Sequence, residues 1–339
     1  MRITILKFFL TLNLAFIQLS SIAYCGSKYT SEFLNIGVGA RALAMGGSVV
    51  AHTNNASAIY WNPAALSNLN KNQLYLSHVR MFDNIANHNF MGLGFNVSNG
   101  LSFGLGWLRL SIDDIPYYSE LEGSRYDRIM NPDMRSTGEA EGYFGDVEEA
   151  YFLTVAKSMD LDLMFGNELV PIIIPFRISL GVNYKIINQK LAESEGKGQG
   201  LDCGILFQFL DFNGTSRTQI FCVGFNAKDI VGTTIVWNTQ NHTREKIPIQ
   251  FDCGTSYSRW FHTMRSKITV SLAYEMLEIN TIRCGFEYSF ADLLFLRSGM
   301  NDNKWTSGAG LKLMFIHLDY AFISHDLGNT HRISGSFQF

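Results

Sequence analysis

Charged side chains are scarce in this chain of 339 residues: Asp, Glu, Lys and Arg make up 17%, against about 25% in an average soluble domain. Prolines number only six against thirty glycines, a ratio that fits many closely packed strands better than long helices. The net charge of −3 leaves no basic surface of the kind that nucleic acid requires, so we expect no nucleic-acid partner. Beyond the N-terminus, no stretch of about 18 uninterrupted apolar residues predicts a spanning helix.

The longest apolar run lies at the start of the chain. Arg2 and Lys7 precede it and small residues follow it, a pattern typical of a secretory signal peptide. We therefore predict a signal peptide over residues 1–24 and an exported mature chain. Cys25 leaves lipidation open, although Tyr24 is bulkier than the residue that usually precedes a lipidated cysteine.

Four further cysteines invite a disulfide interpretation, because their number is even and the chain is exported. They are Cys203, Cys222, Cys253 and Cys284. They lie among apolar side chains, where a thiol behaves as a small hydrophobic group, so we favour free thiols. None lies at metal-ligand spacing from another or from a recurring histidine, and we predict neither a metal nor a cofactor.

The last ten residues alternate strictly between apolar and polar side chains. The apolar phase holds Ile333, Gly335, Phe337 and Phe339, and the polar phase holds Arg332, Ser334, Ser336 and Gln338. This period of two is typical of a strand with one wet face. A final strand that ends in an aromatic residue is usual in bacterial outer-membrane barrels. We predict that Phe337 and Phe339 form the C-terminal insertion signal for the barrel-assembly machinery.

Similar alternation recurs from residue 73 onward, between clusters of Asn, Asp, Gly and Ser. The predicted strands cover residues 73–80, 88–97, 101–111, 148–159, 174–187, 200–211, 218–227, 249–258, 266–275, 280–290, 292–300, 305–313, 315–323 and 330–339. Fourteen is an even number, as bacterial single-chain barrels require. A soluble sandwich would alternate in the same way with its apolar face inward; the signal peptide and the terminal Phe favour an all-β transmembrane antiparallel barrel in the outer membrane.

The connection over residues 112–147 is long, acidic and rich in tyrosine. Outer-membrane barrels place long loops outside the cell, so we predict that this connection forms an external cap. A solvated insertion without function is the alternative.

Two segments near the N-terminus resemble the start of the PorV/PorQ family, within the wider FadL-like group of outer-membrane proteins. They are GVGARALAMGG from Gly37 and NNASAIYWNPAAL, which contains Asn62, Pro63 and Ala64 after Trp61. The resemblance continues through CGFEYSFADLLFLRSGM, GAGLKL, HLDYAF and LGNTHRISGSFQF. It covers nearly the whole mature chain.

This resemblance implies a barrel over residues 71–339 whose N-terminal segment, residues 25–70, folds into the lumen as a hatch. The predicted hatch and gating residues are Gly37, Gly39, Arg41, Gly46, Gly47, Trp61, Asn62, Pro63 and Ala64. FadL-like proteins take up long-chain fatty acids or other hydrophobic molecules, whereas PorV serves type IX secretion as a shuttle or docking barrel for exported proteins. We expect a monomer in contact with outer-membrane lipid. Its partner is a hydrophobic small-molecule ligand or, as the alternative, an exported protein.

Charged residues on the polar phase are expected to line the lumen. They include Arg283, Glu287, His317 and Asp319, together with Arg177, Lys185, Asp202, Asp252, Lys267, Glu275, Lys312 and Arg332. His317, Asp319, His325, Asp326 and His331 have side chains suited to acid–base chemistry, but no recognisable nucleophile accompanies them, so we predict no enzyme. The sequence from Gly37 to Ala42 imitates a dinucleotide fingerprint without the strand and helix that the motif needs.

Overall fold

The computed structural model describes residues 31–82, 85–131, 133–135, 137–165, 172–210, 218–276, 280–324 and 328–339. The predicted signal peptide, Cys25, His325 and Asp326 lie outside these residues. No helix in the described ranges is both long and apolar enough to cross a membrane.

Sixteen strands form one sheet, in which consecutive barrel strands pair antiparallel. Their bounds are β1 Gln73–Met81, β2 Ala86–Ser98, β3 Leu101–Tyr117, β4 Gly142–Phe165, β5 Ile172–Leu191, β6 Ser194–Leu210, β7 Gln219–Lys228, β8 Thr234–Trp237, β9 Arg244–Lys246, β10 Gln250–Phe261, β11 Ser266–Met276, β12 Thr281–Phe290, β13 Leu294–Asn301, β14 Lys304–Leu313, β15 Ile316–Ile323 and β16 Thr330–Gln338. The first strand pairs with the last, and β5 pairs with β6. Fourteen of the strands, all except β8 and β9, therefore close into a barrel, as predicted.

The two ends of the barrel differ in the length of their connections. The end at which β1 begins and β16 finishes has short turns at residues 99–100, 291–293 and 314–315. The opposite end carries residues 118–141, with helix α3 at Arg125–Met130, and residues 229–249, which contain β8 and β9. Because outer-membrane barrels keep short turns on the periplasmic side, we assign the first end to the periplasm and the second to the outside.

Alternate side chains of each strand face opposite sides of the wall. In β5, Ser179, Asn183 and Lys185 are at most 2% exposed, whereas Leu180 and Val182 are 46% and 43% exposed. The polar phase therefore faces inward and the apolar phase faces outward, the reverse of a soluble barrel. Closure pairs the edge strands and leaves no open sheet edge in lipid.

Two features differ from the sequence prediction. Strand β3 continues to Tyr117 and strand β4 begins at Gly142. Both ends of the predicted loop at 112–147 therefore belong to the sheet. The short β8–β9 hairpin, which was not predicted, pairs with the outer end of β6 through Gly196 and Lys197. Its strands are only four and three residues long, too short to show a period of two.

Residues 31–69 precede β1 and contain only short helices; we call them the luminal segment. They form 3₁₀ turns at Glu32–Asn35 and Pro63–Asn68, and helices α1 at Ala40–Ala44 and α2 at Ala58–Trp61. Most of their side chains are buried and share a core with inward-facing wall residues such as Tyr75, Phe90 and Leu108. Part of the inner face is therefore apolar, where this segment packs.

Candidate functional site: the luminal segment and the wall around it

The luminal segment is bonded to strands on opposite sides of the barrel. Ala40 donates its backbone N–H to Ser334 Oγ of β16 at 3.1 Å. On the far side, Asn183 Nδ2 of β5 donates to the carbonyl of Ile59 at 2.6 Å, and Asn226 Nδ2 of β7 donates to that of Trp61 at 3.1 Å. Three backbone groups of these short helices are thus satisfied by side chains of the inner wall.

Inward-facing glycines allow the segment to approach the wall backbone. A Cβ at Gly224 would lie 2.6 Å from the carbonyl oxygen of Val50, and one at Gly285 would lie 2.6 Å from that of Met45. We call the whole set the glycine belt: Gly92, Gly94, Gly104, Gly106, Gly181, Gly204, Gly224, Gly254, Gly285, Gly299 and Gly308. The belt residues belong to nine strands of the barrel, so the luminal segment lies close to the wall on many sides at this level.

The Asn-Pro turn predicted as a gate is rigid for local reasons. Asn62 is extended, and its Oδ1 accepts from the Ala64 N–H at 3.1 Å while Pro63 occupies the first position of the 3₁₀ turn. This is the usual N-cap arrangement. Asn62 Nδ2 also donates to the carbonyl of Val50 at 2.8 Å, so one fully buried side chain joins two parts of the luminal segment.

Arg41 ties the segment to the wall through a buried ionic group, the Arg41 cluster. Its Nε lies 2.9 Å from Glu287 Oε2, and Glu287 also contacts Arg297 Nε at 2.7 Å. Arg297 Nη1 in turn lies 2.7 Å from Asp319 Oδ1. His317 Nε2 is 3.2 Å from the same Asp319 oxygen. Breaking such a pair leaves a buried charge without a partner, which costs more than a surface pair contributes.

His52 lies beside this cluster within the luminal segment. Its Nε2 is 2.9 Å from Arg41 Nη2 and 3.8 Å from Glu287 Oε1. Burial lowers the pKa of His52 to about 4, and the positive charge of Arg41 acts in the same direction, against the hydrogen bond to Glu287. The imidazole is therefore neutral at pH 7, and Glu287 pairs with the two arginines.

Two further buried ionic groups lie nearer the outer end. Lys185 Nζ contacts Asp202 at 2.9 Å and Asp229 at 2.7 Å. Lys228 contacts Asp252 at 3.1 Å, and Arg283 pairs with Glu275.

Sequence reasoning missed Arg297 and Asp229. Arg297 shares the inward phase of β13 with Phe295 and Gly299, and this period of two was a signal that could have placed it in the lumen. Asp229 lies outside any strand and offered none.

The other predicted site residues lie in the luminal segment or on the outer face of the barrel. Gly37, Gly39, Gly46 and Gly47 have positive φ angles between 64° and 84°, and Ala64 and Trp61 are buried in the luminal segment. Phe337 and Phe339 are 41% and 55% exposed on the outer face. His331 is exposed and close to Tyr320, with 2.6 Å between Nδ1 and the hydroxyl; it is apart from His317.

The four described cysteines are free. Cys222 is 4% exposed, lies on the inward phase with Gly224 and Asn226, and belongs to the apolar core that the wall shares with the luminal segment. Its Sγ lies 3.8 Å from Gln208 Nε2. The apolar residues that flank it in sequence belong to the opposite face.

One cavity beside the luminal segment opens at the periplasmic end. It has a volume of about 560 Å³ and lies between residues 67–70, the turn at 99–100 and strands β4 and β5. Its lining is mainly polar, with Asn68, Asn96, Lys157 and Arg177.

A closed antiparallel barrel with apolar side chains outward, polar side chains inward and long connections at one end defines a bacterial outer-membrane protein. We therefore place this chain in the outer membrane.

Solved outer-membrane barrels are similar to this chain. The Ralstonia pickettii toluene transporter TbuX is 11% identical, with 89% of this chain and 98% of that chain covered and a TM-score of 0.48. A deletion mutant of the TodX monoaromatic hydrocarbon channel is 10% identical over 92% of this chain and 100% of that chain, with a TM-score of 0.48. A Pseudomonas aeruginosa FadL homologue is 11% identical over 87% and 96%, with a TM-score of 0.46. No protein-family model and no curated protein sequence matches the chain.

Proposed function

We propose that this protein is a FadL-like barrel that admits hydrophobic small molecules, with long-chain fatty acids as the representative substrate, and that the luminal segment is its hatch. The observation that carries the proposal is the contact between the segment and the glycine belt. A general porin keeps a water-filled lumen, whereas here the segment must shift before a solute can pass.

The external connection supports the capture of apolar molecules. Tyr126, Ile129 and Met130 on α3 are 64% to 69% exposed, and Tyr118 and Tyr143 beside it are 53% and 69% exposed. A helix with this many exposed apolar side chains marks an interaction surface. In this mechanism the external connection collects the ligand, and a shift around Asn62 and Pro63 opens the path inward.

Uptake of labelled palmitate by a strain that depends on this protein tests the proposal. Deleting the gene should abolish uptake, and replacing Asn62 and Pro63 together with Ala should reduce it severalfold. The control replaces Thr263 and Met264 with Ala, because both are exposed in the short periplasmic turn before β11; this change should leave uptake unchanged. Normal uptake without the gene would reject the transport function. Normal uptake by the Asn62 and Pro63 variant would reject the gating role of these two residues and leave the transport function standing.

A docking barrel for type IX secretion, of the PorV/PorQ kind, is the second candidate. The exposed apolar side chains of α3 lie among acidic residues such as Glu120, Glu122 and Glu139, a surface that suits contact with another protein. In that case deletion would stop exported proteins from reaching the cell surface and would leave palmitate uptake intact.

A further inference from the structure

Strand β4 continues past its neighbour β3 at the periplasmic end of the barrel. It is paired with β3 only as far as Lys157, the partner of Leu101. It then runs on to Phe165, and over residues 158–165 it is paired with β5 alone among the described strands. The side of this stretch that faces away from β5 therefore has no neighbouring strand in the described part of the chain. We call it the β4 edge.

The β4 edge lies on the periplasmic side of the membrane boundary. Lys157 is exposed on the outward phase of β4, and its Nζ donates to the backbone carbonyl of Asn99 in the periplasmic turn. A lysine at this phase costs about 2–4 kcal/mol at the bilayer midplane and little near the interface, so Lys157 marks the interface. Asp160 and Asp162, which follow it, are exposed. Backbone groups of an open edge require water or a partner, and lipid supplies neither.

The backbone groups on this side of β4 alternate along the strand. The Ser158 N–H donates to the Gly100 carbonyl at 2.9 Å, in the turn that precedes β3. Because successive residues of a strand direct their backbone groups to opposite sides, Asp160, Asp162 and Met164 direct theirs to the same side as Ser158. The residues between them face β5. The β4 edge therefore presents backbone donors and acceptors at every second residue.

The opposite edge of this two-stranded extension is shorter and contains a proline. Strand β5 passes the end of β6 only by residues 172–175, since Phe176 is still paired with Phe209. Pro175 has no N–H to donate, and prolines on edge strands are one of the means by which proteins prevent unwanted pairing. Residues 158–165 contain no proline. Of the two edges, the β4 edge is the one suited to pairing.

There is open space beside the first residues of the β4 edge. The cavity of about 560 Å³ at the periplasmic end is lined by Ser158, Met159 and Asp160 on the side of β4 and by Asn68 and Asn70 of the N-terminal region. A paired strand requires a spacing of about 4.7–4.9 Å. Asn68 Oδ1 is buried and has no hydrogen-bond partner among the described residues, so the cavity also offers an acceptor to a guest backbone.

The side chains of the β4 edge alternate between apolar and acidic. Met159 and Leu161 are 46% and 47% exposed on the outward phase, and the exposed Asp160 and Asp162 follow the inward phase. Side chains on the same face of adjacent strands interact, and opposite charges stabilise the pair while like charges destabilise it. The edge is therefore complementary to a strand in which basic and apolar residues alternate.

A second copy of this chain fits the edge poorly. Two β4 edges would pair antiparallel about a two-fold axis. An axis at residue 160 or 162 places an aspartate opposite itself, and an axis at residue 161 places Asp160 opposite Asp162. Each of these registers puts like charges together.

We propose that the β4 edge binds an extended segment of a periplasmic protein by strand addition. Lysine or arginine side chains of the segment lie beside Asp160 and Asp162, and its apolar side chains lie beside Met159 and Leu161. In this mode of recognition the backbone hydrogen bonds provide affinity and the alternating side chains provide specificity. The site lies outside the lumen, so it does not depend on which solute the barrel admits.

Binding of labelled peptides to the purified full-length protein in detergent tests the site. The probe is a peptide of four valine–lysine repeats. Its two comparators are a peptide of four valine–glutamate repeats and an isomer with four valines followed by four lysines. Wild-type protein should bind the valine–lysine repeat at least about tenfold more tightly than either comparator.

Three variants separate backbone pairing from charge. Asp162→Pro removes an N–H of the open edge and should weaken binding of the valine–lysine repeat by about tenfold or more. Asp162→Lys leaves the backbone intact and should reverse the preference between lysine and glutamate repeats, so it tests the site even where the proline variant fails to fold. Glu193→Lys, in the external turn between β5 and β6, is the charge control and should bind as wild type does.

Hydrogen exchange gives a second measurement. The valine–lysine repeat should slow exchange at the amides of Asp160 and Asp162 and leave those of Met159 and Leu161, which face β5, unchanged. Equal affinity of wild-type protein for the lysine and glutamate repeats, or an unchanged preference in Asp162→Lys, would overturn the site. A wild-type dimer that becomes monomeric in Asp162→Pro would overturn the periplasmic partner in favour of pairing between two copies of this chain.

Discussion

Arg41 is the residue whose loss should loosen the luminal segment most directly. Arg41→Gln removes the charge that pairs with Glu287 and is expected to destabilise the segment by about 3–5 kcal/mol. Arg177→Gln removes an arginine whose pair with Asp160 is partly exposed, and it should cost at most about 1 kcal/mol. Thermal unfolding in detergent and conductance in planar bilayers measure the two effects. Equal stability and conductance in both variants would contradict a tethering role for Arg41.

His52 should make the segment sensitive to acid. Its pKa is about 4 in the folded protein, against about 6.5 in an unfolded chain. The contribution of the neutral His52 imidazole to stability is complete above the pKa of the unfolded chain. It is lost as the pH falls from that value through the pKa of His52 in the folded protein. His52→Gln should therefore lose less stability than wild type between pH 7 and pH 4. Thermal unfolding of both proteins across that range measures the difference, and parallel curves would refute it.

Among the structural elements, the luminal segment packs closely against the glycine belt. A large side chain at an inward-facing glycine should therefore disturb the protein more than the same side chain at an outward-facing glycine. Gly285→Leu places a side chain where the Met45 carbonyl lies, and we expect a loss of about 1–3 kcal/mol and a raised conductance. Gly335→Leu adds the same side chain on the outward phase, where a Cβ has its nearest neighbour at 3.3 Å. This control should change conductance little. A Gly285→Leu barrel as closed as wild type would argue against tight packing.

The external connection should affect the rate at which an anionic ligand arrives. Residues 118–141 hold six acidic side chains against three arginines, and Arg128 and Arg135 bond to backbone carbonyls within the connection. Like charge slows encounter, and salt screens it. Palmitate association in stopped-flow measurements should therefore accelerate with ionic strength, whereas association of hexadecanol, an uncharged alcohol with a chain of equal length, should not. A palmitate rate that falls with salt would show that attraction, and not repulsion, governs its approach.

For the whole molecule, the outward direction of the apolar phase is the property on which membrane insertion depends. Leu76 lies at the middle of β1 on the outer face and is 49% exposed. Leu76→Arg should cost about 2–4 kcal/mol in lipid, whereas Tyr118→Arg in the external connection should cost little. Folding into bilayers of defined composition, followed by heat-dependent gel mobility, measures both. Equal tolerance of the two arginines would contradict the membrane placement of β1.

The number and phase of the barrel strands were predictable because both are local properties. Each strand shows its period of two within about ten residues, and turn residues mark its ends, so β5 and β16 could be recognised without their neighbours. The β8–β9 hairpin was missed, since strands this short carry no period. Alternation alone does not show which inward side chains, such as Tyr75 and Phe90, pack against the luminal segment.

The sequence by itself determined a fourteen-stranded wall with an apolar outer face, since side-chain direction follows from position along each strand. Only the tertiary structure decided which inward groups meet. Arg41 and Glu287 are 246 positions apart, and their contact depends on barrel closure and on the path of the luminal segment. Closure also places Arg332 and His88 on either side of Val79, and the path of the luminal segment gives Arg332 the carbonyl of Gly37. Contacts of this kind arise from register and packing across the whole barrel, which no local pattern encodes.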